Sequence, residues 1–279
     1  IRQSLVGSEM CIRDRLLLEW VRLLLERKPL IEPLGLKDLL LRRASDPVGE
    51  VANKVTLCLA KAIEADRDFG HQLALRLHER DEILVRRAMA DVLTRLFRRL
   101  TWDALPLLDD MLKSDDEGVL AAASATVGDV KYLDKDQWAD RLRQLCNHPL
   151  AIVRRNLVPN LREYIEFDPA DTRGLFHELW KDGDEVVRTR LRELLLRMEE
   201  VSPEHFASQV KALQEAGANL EPLWQPLALR RAERCAEWKA WLAGEGDQPQ
   251  GDQRPVHVSQ MEPPEELPAL DDALESLDE

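Results

Sequence analysis

The stretch ILVRRAMADVL, residues 83–93, places Val85, Met89 and Leu93 four residues apart. Steps of four return to one face of an α-helix, so the stretch predicts a helix with an apolar stripe. Moved by 34 residues in either direction, the stripe recurs. Val51, Val85, Val119, Val153 and Val187 form its first column, and Val55, Met89, Ala123, Leu157 and Leu191 its second. Leu59, Leu93, Val127, Leu161 and Leu195 form the third. The spacing predicts five helices, termed B, near 48–65, 83–99, 117–130, 150–166 and 185–199.

A second set of columns runs ahead of the first at the same period: Leu77, Met111, Leu145, Leu179 and Leu213, with Leu73, Leu107, Leu142, Phe176 and Val210 beside them. These predict A helices near 35–44, 68–79, 103–114, 136–147, 170–181 and 203–216. Asp66, Asp134, Asp168 and Ser202 stand where N-caps belong, with Pro169 and Pro203 at the first helical position. Thr101 is the candidate cap in the repeat that lacks an aspartate there, and Gly217 suits the end of the sixth A helix. One hairpin of this size cannot bury its apolar face, whereas stacked hairpins can. The expected fold is therefore all-α: an α-solenoid of about five to six antiparallel helix pairs over residues 16–243. Leu16 to Lys28 is expected as a lone B helix ended by Pro29 and Pro33, with Leu17 and Val21 one period before Val51 and Val55. A last helix near 222–243, carrying Trp224, Trp238 and Trp241, is expected to cover the end of the stack.

Two repeat families share such hairpins. The tetratricopeptide repeat has the same period, but its pattern is met once and partially, in Trp102 and Leu105, with Pro106 in place of its glycine. The joint before Val85 reads Asp81-Glu82-Ile83-Leu84-Val85-Arg86, and the Val-Arg pair returns as Val153-Arg154 and Val187-Arg188. This resembles the HEAT repeat over roughly residues 16–243, except that Val119-Leu120 lacks the arginine. The resemblance implies that B helices line a concave surface and A helices an outer one.

The formal net charge is −13. Residues 244–279 hold eleven acids and one base (Arg254), a net of −10, so about −3 is left for the other 243 residues. That last segment, rich in Gly, Gln, Asp and Pro, reads as a disordered acidic tail. Within it Leu267, Leu270, Leu274 and Leu277 are spaced to share one face of a short amphipathic helix over 263–279. Residues 1–15, IRQSLVGSEMCIRDR, resemble a translated sequencing-adaptor scar from environmental DNA, and an N-terminal part is expected to be missing. Cys11, Cys58, Cys146 and Cys235 are scattered, with no C-x-x-C, which fits a reduced, cytoplasmic setting. No apolar run is long enough for a membrane span.

Sequence patterns for catalysis are missing: no phosphate loop, no nucleophile elbow and no H-E-x-x-H, hence no catalytic, metal or cofactor assignment. His71 and His78 are seven apart on one helix, about 10 Å along its axis, too far for one metal ion. Arginines crowd the B helices, among them Arg87, Arg95 and Arg155. Those of the Val-Arg pairs, Arg86, Arg154 and Arg188, are expected to meet Asp81, Asp115, Asp182 or Asp184 at neighbouring joints. Asn156 and Asn160 stack one turn apart around Pro159, which should kink the helix. The function read from these features is a non-catalytic scaffold for a protein partner, contacted through Arg87, Arg95, Arg155, Asn156, Asn160 and the four tail leucines. The alternative implied by the HEAT resemblance is DNA binding or an alkylated-base glycosylase, with Asp91 or Asp129 as the available acids and Tyr164, with Trp20 in the first helix, as the aromatics on B segments, or a bilin lyase. Small residues in Val119–Thr126 interrupt the basic track, which argues against a nucleic-acid partner.

Overall fold

A computed structural model describes residues 16–244. The segments 1–15 and 245–279, and with them the tail leucines, lie outside the described residues. The described chain is helical, with no strand. It divides into two compact units at Asn160 and Leu161, next to Pro159.

The first unit begins with α1 (residues 16–24), α2 (Lys28–Ile31) and α3 (Leu36–Ala44), followed by α4 (Gly49–Ala65) and α5 (Arg67–His78). Then come α6 (Ile83–Leu100), a 3-10 turn (Thr101–Ala104), α7 (Leu105–Met111) and α8 (Glu117–Thr126). A further 3-10 turn (Val127–Tyr132), α9 (Lys135–Cys146), α10 (Ala151–Leu157) and a 3-10 turn (Val158–Asn160) complete it. The B helices α4, α6, α8 and α10 lie side by side, each against the next. Their three columns are buried throughout, from Val51 at 6% exposure to Val55, Met89 and Leu93 at 0%. Each such side chain contributes about 1.5–3 kcal/mol relative to an exposed one, which is why the 34-residue phase dictates the stack.

The second unit holds α11 (Leu161–Phe167), α12 (Pro169–Trp180), α13 (Glu185–Val201), α14 (Pro203–Glu215) and α15 (Glu221–Leu242). Here α12, α13 and α14 pack on one another, and α15 packs on α13 as one B helix packs on the next. Its buried Leu223 and Leu227 follow Val187 and Leu191 by 36 residues, a slip of two against the period. Where the third column would fall stands Arg231, whose Nε donates to Glu199 at 2.9 Å. Both side chains are nearly buried, at 12% and 11% exposure.

Asp66, Asp134 and Asp168 accept from backbone N–H groups three residues on, as their spacing predicts. Two further aspartates cap α8 and α13: Asp116 accepts from Val119 N and Asp184 from Val187 N. Ser202 makes no such side-chain bond. Thr101 is instead the C-cap of α6, at φ 53°, with its hydroxyl turned to the Leu100 carbonyl. α1 ends at residue 24, and Pro29 lies in the first turn of α2 rather than ending a longer helix. Leu18 and Val21 are buried in α1, as is Leu25 just past its end, while Leu17 is 37% exposed.

Of the described glycines, Gly49, Gly70, Gly118 and Gly174 lie in α-helices, and Gly70, inside α5, is the buried one among them. A Cβ there would come within 2.5 Å of the Ile63 Cα and 2.3 Å of its Cγ1 on α4. α4 and α5, the B helix of one repeat and the A helix of the next, therefore cross backbone to backbone at this point.

Candidate partner-binding face

On α8 the residues turned from the core are Gly118, Ala121, Ala122 and Ala125, spaced three, one and three apart along one face. Their counterparts one period earlier, on α6, are Leu84, Arg87, Ala88 and Asp91; one period later, on α10 and after it, they are Ile152, Arg155, Asn156 and Pro159. Since α8 lies between α6 and α10, the surface dips over α8. Long polar side chains border the trough on both flanks. The run that interrupts the arginine track in the sequence is the floor of this trough.

Polar bridges hold the trough in shape. Asn156 Nδ2 donates to the Ala121 carbonyl at 2.9 Å and to Ser124 Oγ at 3.0 Å. On the other flank the Thr94 and Thr126 hydroxyls meet at 3.0 Å. Pro159 breaks the helix as expected: α10 gives way to a 3-10 turn, and Asn160 Nδ2 donates to the Asn156 carbonyl at 3.1 Å. Gly128 leaves room for Asn160, since a Cβ there would meet its Oδ1 at 2.6 Å. Both asparagines are half-buried and fill the kink.

The arginines divide by role. Arg87 forks onto Asp116 with Nε at 2.9 Å and Nη2 at 2.7 Å, yet 56% of its side chain stays exposed. Hydrogen bonds from Arg87, and after them the Val119 N–H, hold the Asp116 carboxyl down to a pKa of about 2. Arg95 is exposed and makes no ion pair among the described residues, while Arg155 is half-buried on α10. Of the Val-Arg arginines, Arg188 meets one of the expected aspartates, Asp182, through its backbone carbonyl, and Arg86 meets a different aspartate. Arg86 reaches Asp110 on α7 at 3.3 Å, an acid it shares with His78 at 3.2 Å. Arg154 donates to the carbonyls of His148 and Pro149, and Arg188 to that of Asp182 and to Glu185. Arg154 and Arg188 thus brace the turns just before their own helices. His78 is half-buried, and burial pushes its imidazole pKa down.

One residue of the base-handling alternative, Tyr164, is placed differently from its needs. Tyr164 is fully buried, its hydroxyl on Asp171, and so offers no platform. Asp91 is exposed on α6, and Asp129, half-buried, has its carboxyl pKa pushed up by desolvation. Among the described residues no three His, Cys, Asp or Glu side chains gather as metal ligands.

A separate cleft of about 380 Å³ opens in the second unit, where the α12–α13 turn faces the α14–α15 turn. Trp180 donates its indole N–H to the Asn219 carbonyl at 3.0 Å, which fixes the ring against the second turn. That turn is formed by Gly217 at φ 71°, with Ala218 N donating to the Leu213 carbonyl at 2.9 Å. Lys181, Arg188 and Arg192 line the cleft against the single carboxylate of Glu185. Arg188 first, then Arg192, holds that carboxyl below its usual pKa.

No family model and no curated protein matches the chain. Among solved structures it is similar to two engineered proteins. The first has a TM-score of 0.46 and 16% identity over 71% of this chain and 90% of that one. The second has a TM-score of 0.45 and 17% identity over 70% of this chain and 57% of that one.

Proposed function

We propose that the chain is a non-catalytic binding module that seats an acidic segment of a protein partner in the trough over α8. The observation that carries this reading is the four-residue floor of Gly118, Ala121, Ala122 and Ala125 between flanks bearing Arg87, Arg95, Arg155 and Asn156. A floor without long side chains admits a helix or an extended segment to close range, and the flanking guanidiniums offer planar donors for carboxylates. Asn156 and Arg87 are pre-set by their own bonds, so little freedom is lost on binding. Kinship with the HEAT family fits the turn-bracing role of Arg154 and Arg188. A reduced, cytoplasmic setting fits Cys58 and Cys146, which are both buried. No helix among the described residues is long and apolar enough to cross a membrane.

Peptide display against the full chain tests the reading. Acidic sequences should be enriched, and their binding should fall at least tenfold in Ala122→Trp, which fills the floor, and in Arg95→Glu. Selected peptides that bind both variants as well as the parent would sink it.

A further inference from the structure

The cleft in the second unit joins two chemistries that surfaces seldom hold together. Three cations, Lys181, Arg188 and Arg192, surround one carboxylate, Glu185, while Trp180 and Pro222 supply apolar walls. Glu185 already draws on Arg188 and on Arg192 (2.7 Å), so it orders the guanidiniums without cancelling the excess of positive charge. A ligand that suits the cleft carries several negative charges beside branched aliphatic groups.

The same chain contains such a segment. Residues 263–279 hold seven acids (Glu265, Glu266, Asp271, Asp272, Glu275, Asp278 and Glu279), no base, and the four leucines 267, 270, 274 and 277. Its tether is long enough. Pro222, in the cleft wall, lies in the first turn of α15, whose 22 residues carry the chain about 33 Å to Gly244. The 18 residues 245–262 can span up to about 60–65 Å, roughly twice the return distance.

We propose that the Trp180–Arg192 cleft is an intramolecular docking site for residues 263–279, with the acids on Lys181, Arg188 and Arg192 and the leucines against Trp180 and Pro222. Opposite charge steers the encounter, and apolar contact with Trp180 holds it. The tether raises the local concentration of the segment into the range of about millimolar, so that weak contacts suffice. This site is independent of the trough over α8.

The test uses the full chain and zero-length carbodiimide coupling of lysine to carboxylate, read by mass spectrometry on mixed light- and heavy-isotope protein. The expected product joins Lys181 to an acid of 271–279 within one chain. Lys211 and Lys239 serve as exposed comparison sites. Replacing Leu270 and Leu274 with Ser should lower the Lys181 product at least fivefold, and 0.5 M salt should lower it as well. The substitutions lie outside the described residues, and an unchanged melting curve verifies that the two units remain folded. Equal yields at all three lysines would overturn the proposal, as would a product insensitive to the leucines. Products found mainly between light and heavy chains would also overturn it, in favour of docking between copies.

Discussion

Arg87 and Asp116, 29 residues apart, are joined by two hydrogen bonds at the point where α8 begins, and the same carboxylate caps that helix through Val119 N. Gly118 leaves the pair room, since a Cβ there would lie 3.2 Å from Arg87 Nε and 3.1 Å from Asp116 Oδ1. One side chain thus ties the α6 surface to the start of α8 and sets one flank of the trough. The folded pKa of Asp116 is about 2, below its ordinary value of 3.8. A depressed carboxylate stabilises the fold fully above its unfolded pKa, and the contribution fades as pH falls from about 4 through about 2. A carbon-detected NMR titration should give an Asp116 midpoint near 2, moving up toward 3.8 in Arg87→Ala. A midpoint unmoved by that substitution would show that the fork is not formed in solution.

The period makes a prediction about which leucines matter. Leu157 (2% exposed) and Leu191 (0%) sit in the second core column. Truncation to Ala should cost about 2–5 kcal/mol at each, as lost transfer energy plus a cavity. Leu57, on α4 and 52% exposed, is the comparison. Leu57→Ala should stay within about 0.5 kcal/mol, as surface sites do. Urea denaturation read by circular dichroism orders the three, and a Leu57 cost equal to that of Leu157 would mean that the faces are assigned wrongly.

Helix order and core columns are legible from α4 to α14 because each repeat there buries the same positions, so one phase recurs. Where a position departs from its column, the sequence alone misleads. The ladder puts Arg86 on Asp81 or Asp115, yet Arg86 reaches Asp110, and the acid at the start of α8, Asp116, holds Arg87. A usable signal existed: Asp116 and Asp184 each stand three residues before a column valine, the place of an N-cap. Asn156 and Asn160 were recognisable as a pair around Pro159, and they fill the kink there. The cleft around Trp180 could not be read, since it needs Trp180, Arg192 and Pro222 brought together by two turns with no shared spacing.

Gly70 gives a test of the first helix crossing. Alanine ordinarily suits a helix interior better than glycine. Here its Cβ would fall 2.5 Å from backbone of α4, which has no rotamer by which to move aside. Gly70→Ala should therefore destabilise, by about 3 kcal/mol on the scale of overpacked cores. A urea midpoint equal to or above that of the parent would show that α4 and α5 sit further apart.

Gln209 is the side chain that most plainly contradicts its register. It occupies the A-helix column that reads Leu73, Leu107, Arg141 and Leu175 at the preceding periods. Arg141 is satisfied there, with Asp109 at 2.9 and 2.7 Å and the Gln137 carbonyl at 2.8 Å. Gln209 has no such company: it is fully buried, and neither its amide nitrogen nor its amide oxygen meets a protein hydrogen-bond partner. Burying an amide unpaired costs about 1–3 kcal/mol by protein mutational measures, and leucine fills a similar volume without that cost. Gln209→Leu should raise stability by about 1 kcal/mol or more, and Gln209→Glu should lower it steeply at neutral pH, where an ionised carboxylate would be buried. Thermal and urea unfolding of the two variants check this. A loss of stability in Gln209→Leu would mean that the amide is satisfied in solution, and the column would then tolerate a polar residue for a structural reason of its own.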